Sequence, residues 1–70
     1  MSANNYLYLT KYQGKYELRD VDVEYGVDYS SPPLLSYDTL ENAVLGARCQ
    51  MIKMENDGYP YEYGLVIGDI

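Results

Sequence analysis

Apolar and polar residues alternate through Tyr6-Leu7-Tyr8-Leu9-Thr10-Lys11-Tyr12, a run rich in strand formers with Leu7 and Leu9 on one side. Gln13-Gly14 interrupts it with a two-residue turn in which Gly14 can take positive φ, and Lys15-Tyr16-Glu17-Leu18-Arg19 resumes the alternation. The pair reads as a β-hairpin. Its second strand continues with the phase changed: Leu18 is even-numbered, whereas Val21, Val23, Tyr25 and Val27 are odd. A slip of one residue turns every side chain to the other face. The pattern therefore predicts either a bulge near Arg19-Asp20 or a third strand beginning there. Ser30-Ser31-Pro32-Pro33 reads as a loop, because two prolines remove donors and fix φ.

The period then lengthens. Leu40, Ala43, Val44, Ala47, Met51 and Met54 recur at helical spacing, which predicts a helix at about residues 38–55. Asp38-Thr39-Leu40-Glu41 reads as a capping box with Asp38 as the cap, and Asn56-Asp57-Gly58 as the stop. After Tyr59-Pro60, the run Tyr61-Glu62-Tyr63-Gly64-Leu65-Val66-Ile67 reads as an interior strand, since both its faces become apolar. The expected class is α+β: an antiparallel sheet of three to four strands with one helix packed on one face, in the order β-β-(β)-α-β. Residues 1–70 leave room for one small domain.

Composition removes most chemistry. The chain has no histidine and a single cysteine, so it lacks an imidazole for a catalytic dyad and the ligands of a zinc cluster. A carboxylate pair could in principle act as acid and base, but so small a one-helix domain has little volume for a cleft. The expectation is a protein that is not an enzyme and carries no catalytic, cofactor or metal site. No apolar run reaches membrane-spanning length and residues 1–5 lack the regions of a signal peptide, so cytoplasmic residence is expected.

Charge is unevenly placed. Residues 1–19 carry a net +2, residues 20–41 a net −6 and residues 42–70 a net −2. Asp20, Asp22, Glu24 and Asp28 alternate with Val21, Val23, Tyr25 and Val27, and no basic residue lies between Arg19 and Arg48. On one strand such carboxylates would stand about 6.6 Å apart on one face. That spacing is comparable to neighbouring phosphates of a nucleic acid. The plainer reading is an ordinary solvent face. An EF-hand loop counted from Asp20 fails, because its sixth and twelfth positions hold Tyr25 and Ser31. The acidic balance also argues against direct nucleic-acid binding.

All ten aromatic residues are tyrosines. Tyr6, Tyr8 and Tyr12 share one face of the first strand, and Tyr59, Tyr61 and Tyr63 cluster before the last. They serve either as a contact surface or as core and strand formers in a chain without Phe. A second apolar stripe, Leu45, Cys49 and Ile52, lies on the helix opposite the first. Either Pro32-Pro33-Leu34-Leu35 covers it, or it forms the seam of a homodimer.

In size, acidity, tyrosine content and strand–helix order the chain resembles the small phage-encoded inhibitors of bacterial defence. These are the anti-CRISPR proteins and the acidic DNA mimics that inhibit restriction enzymes or uracil-DNA glycosylase. Tyr63-Gly64-Leu65-Val66-Ile67-Gly68-Asp69 resembles the final strand of the uracil-DNA glycosylase inhibitor. The resemblance implies a stoichiometric inhibitor acting in the host cytoplasm, which occupies the basic nucleic-acid groove of a protein partner. Asp20, Asp22, Glu24 and Asp28, flanked by Tyr25 and Tyr29, are the residues expected to fill that groove. The alternative class is an antitoxin, an immunity protein or a small subunit of a larger assembly.

Overall fold

A computed structural model describes residues 4–70. The hairpin joins β1 (Asn5–Tyr12) to β2 (Lys15–Asp22), antiparallel, with Leu9 opposite Leu18 and Leu7 opposite Asp20. Gln13 and Gly14 both have positive φ, as a two-residue hairpin turn of the primed type requires. The third strand, β3 (Leu35–Tyr37), pairs antiparallel with the outer side of β2. Helix α1 (Leu40–Asn56) follows, and β4 (Leu65–Ile67) returns beside β1. The sheet order is β3-β2-β1-β4.

The α+β arrangement with one helix across a four-stranded sheet is as expected, but the sheet is mixed. β4 runs parallel to β1. The reason is topological: β3 already runs with β1, and a helical crossover brings the chain back to start the next strand in the same direction. Two further expectations are corrected. No strand starts at Val21; the third strand comes after the prolines. β4 is an edge strand, not an interior one.

The phase change in β2 involves neither a bulge nor a new strand. Pairing with β1 is unbroken from Lys15 to Asp22. Leu18 faces the helix, whereas Arg19 and Val21, both buried, reflect a second covered face. On the helix side, Leu7, Leu9, Leu18, Ala43, Ala47 and Tyr61 form the core, with Tyr16, Tyr37, Val44, Met51, Met54 and Leu65 packed around it. The small Ala43 and Ala47 let the helix axis approach the three buried leucines closely.

The helix begins one residue later than its sequence suggests. Thr39 is the N-cap, with extended backbone and its hydroxyl accepting the Asn42 N–H at 3.2 Å. Asp38 is instead ion-paired to Lys15. At the far end the Gly58 N–H reaches the Glu55 carbonyl and the Tyr59 N–H that of Met54, with Gly58 at φ 86°. This is a Schellman termination, and it turns the chain back toward β4.

Candidate functional site

The segment between β2 and β3 builds the acidic surface. β2 ends at Asp22, and the chain reverses at once, with Asp22 bridged to Gly26 at φ 74°. The Asp22 carboxylate accepts the Glu24 N–H at 2.8 Å and so sets this turn. Asp28 repeats the device: its carboxylate accepts the Ser30 N–H and the hydroxyls of Ser30 and Ser31. The Ser30 hydroxyl, then that of Ser31, holds the Asp28 carboxyl below its ordinary value. Asp20 accepts a hydrogen bond from the Asn5 amide at 2.9 Å.

The acids therefore do not form a straight row at strand spacing. Asp20 and Asp22 share the helix-side face of β2, Glu24 sits in the reversal, and Asp28 lies in the loop beyond it. All four are exposed, as is Tyr25, with 85 % of its surface accessible. This end of the sheet thus carries Asp20 and Asp22 on the helix-side face, Glu24 and the exposed Tyr25 in the reversal, and Asp28 in the loop held to the opposite face, an acidic tip spread over both sides. Tyr29, grouped with Tyr25 in the sequence reading, does different work.

Its ring stacks on Tyr12, 4.5 Å between centroids, across the sheet face that the helix leaves open. Arg19 lies beside both rings, 5.1 Å from Tyr29 and 5.9 Å from Tyr12. Only 5 % of Arg19 is accessible. Its guanidinium donates to the carbonyls of Asp28 (3.0 Å) and Ser31 and to the Glu17 carboxylate (2.7 Å). One buried cation thus fastens the acidic loop to the back of the sheet. Partial desolvation, then the neighbouring Tyr8, pushes the Tyr29 phenol up, although 40 % of the residue remains accessible.

This clamp has an electrostatic consequence. Arg19 is the nearest basic residue in the chain to the acidic tip, and its charge is buried and paired with Glu17. Among the described residues it forms no ion pair with any of the four carboxylates. A cavity of about 160 Å³ lies between the loop and the sheet, bordered by Arg19, Val21, Asp28, Pro32 and Leu34. That is below the size of an ordinary ligand pocket, about 300 Å³ or more.

The remaining candidates divide. Tyr6, Tyr8 and Tyr12 do share the face opposite Leu7 and Leu9, but they are half-buried, Tyr12 beneath Tyr29 and Tyr8 against Gly68. They pack the second face. Tyr59 and Tyr63 are exposed, whereas Tyr61 is buried, where desolvation raises its phenol. Leu45, Cys49 and Ile52 are exposed on the outer side of the helix. Pro32-Pro33-Leu34-Leu35 does not cover them: Pro32 and Leu34 border the cavity on the other side of the sheet. Sequence reasoning missed Arg19, and its signal was the opposite-charge pair Glu17 and Arg19, two residues apart on the same face of β2 as Val21.

No helix among the described residues is long and apolar enough to cross a membrane. Comparison of the chain with protein-family models, curated proteins and solved structures finds no match.

Proposed function

We propose that this chain is a non-enzymatic acidic binding protein. It acts as a stoichiometric inhibitor of a nucleic-acid-handling defence complex in the host cytoplasm, in the manner of anti-CRISPR or DNA-mimic proteins. The observation that carries this reading is the exposed acidic tip of Asp20, Asp22, Glu24 and Asp28, in a stretch with no basic residue between Arg19, which is buried and paired with Glu17, and Arg48. Solubility needs charged residues, not residues of one sign. A one-signed tip steers association toward a Lys- and Arg-lined groove, and the exposed Tyr25 adds contact area on arrival. The bent tip replaces a strand-spaced ladder of carboxylates: it would enter a groove end-on.

The test uses a reconstituted CRISPR surveillance complex and uracil-DNA glycosylase as probes. Binding is expected to be competed by DNA and to slow markedly with added salt. A variant carrying Asp20→Lys and Glu24→Lys, with Asp22→Asn to keep the turn acceptor, should keep its helix and lose binding. Undiminished binding by that variant, or salt-independent binding, rejects the acidic tip as the interface. Exposed Leu45, Cys49 and Ile52 favour the second reading, a small subunit of a larger assembly.

A further inference from the structure

The last strand is patterned for the inside of a sheet yet stands at its rim. Leu65, Val66 and Ile67 are apolar on both faces, but 53 % of Ile67 is accessible, and no strand lies beyond β4 among the described residues. The helix packs over β1, β2 and β3. Edge strands are ordinarily blunted by charge, proline or a covering element. The opposite rim has such protection: Pro32-Pro33 precedes β3, and Asp38, paired to Lys15, follows it. β4 is less guarded among the described residues: residues 63–68 hold no charge and no proline, and the nearest charges, Glu62 and Asp69, lie outside that run.

Its backbone is half satisfied. The Leu7 N–H is bonded to the Gly64 carbonyl at 2.9 Å and the Gly68 N–H to the Leu9 carbonyl at 2.8 Å. In a parallel ladder this alternation also turns both polar groups of Val66 toward β1. The N–H and C=O of Leu65 and Ile67 then point outward. We propose that β4 pairs antiparallel with β4 of a second copy of this chain, across a two-fold axis centred on Val66. The register follows from the outward groups. Centred there, Leu65 lies opposite Ile67 of the other copy, and each pair exchanges both N–H···O bonds, so all four outward groups of each copy are used. No charged residue meets a like charge, and both faces of the joint pair apolar side chains. The two sheets become one of eight strands, and β4 becomes the interior strand its sequence describes. The outer helix stripe offers only side chains, with no unmet backbone to set a register.

Sedimentation and amide exchange on the intact chain over a concentration series test this. At high concentration the protein is expected to sediment as a dimer, with slow exchange at Leu65, Val66 and Ile67. On dilution Leu65 and Ile67 should accelerate together, while Val66, bonded within its own sheet, does not. Ile67→Pro removes an N–H that the monomer does not use, and should yield a helical monomer. Ile52→Asp should leave the dimer intact. A wild-type monomer at millimolar concentration, fast exchange at Leu65 and Ile67 throughout, or a dimer lost in Ile52→Asp would each overturn the proposal. These readouts on the unaltered chain decide the matter even if Ile67→Pro does not fold.

Discussion

The ring of Tyr37 occupies the space that a side chain at Gly46 would need. A Cβ built on Gly46 falls well inside van der Waals contact of the Tyr37 ring carbons and hydroxyl. Gly46 is therefore in the helix for closeness, so that β3 can reach the helix flank through a large aromatic. Replacing it by alanine gains about 1 kcal/mol of helix propensity but forces Tyr37 out. Gly46→Ala is expected to destabilise by about 1–3 kcal/mol in urea unfolding. In a Tyr37→Ala background the same change should instead stabilise. Equal effects in both backgrounds would show that the two residues do not compete for this space.

Arg19 makes the second prediction. Arg19→Met leaves the Glu17 carboxylate buried without its partner and two loop carbonyls without donors, at an expected cost of about 3–5 kcal/mol. Arg19→Lys should recover little, because one ammonium cannot serve three acceptors in a fork. The double change Arg19→Met, Glu17→Leu should recover much of the loss. Equilibrium unfolding of the three variants checks the order, and a neutral Arg19→Met would remove the clamp from the account.

At the helix start, Thr39→Ala should cost about 1 kcal/mol through the lost Asn42 N–H acceptor. Asp38→Ala removes only an exposed ion pair, for which less than about 1 kcal/mol is expected, diminishing further in salt. Thermal melts at two salt concentrations discriminate. A larger, salt-independent loss for Asp38→Ala would return the cap to Asp38.

Asp28 links the loop to pH. Its carboxyl is held below the ordinary 3.8 by the Ser30 and Ser31 hydroxyls, so the folded state binds its proton less readily than the unfolded chain. The stabilisation is complete above the unfolded value and is lost as pH falls through the folded one. NMR titration should place the Asp28 midpoint below 3.8, and Ser30→Ala should move it up. A midpoint at or above 3.8 would count against the hydroxyl contacts.

Much of this architecture was legible where a signal is local. The Gln13-Gly14 turn, the helical recurrence from Ala43 to Met54 and the Gly58 stop each act within a few residues. The second face of the sheet was not. Odd-numbered Val21 after even-numbered Leu18 has the same pattern whether the strand slips or a distant loop covers its back. Only the packing of Tyr29 on Tyr12 and the bonds of Arg19 to Asp28 and Ser31 distinguish them. The acids read as a ladder because alternation was extended past Asp22. Their side chains are also the local acceptors that bend the chain there. The partner proposed above has no local signal of this kind, since the sign of a surface charge does not specify what it would meet.

β1 lies between its nearest neighbour in sequence and its most distant one, so its two pairings differ widely in the chain entropy each must overcome. Pairing β1 with β2 closes a two-residue turn, whereas pairing Leu7 with Leu65 closes almost the whole chain. Loop-closure entropy places the hairpin early and β4 late. Alanine at Leu9 or Leu18 should therefore slow refolding, whereas alanine at Leu65 should chiefly hasten unfolding. Until β4 docks, the inner strand β1 is itself an open template. Two half-folded molecules can then exchange their last strands, so refolding from concentrated denaturant should yield an entangled species that dilute refolding avoids.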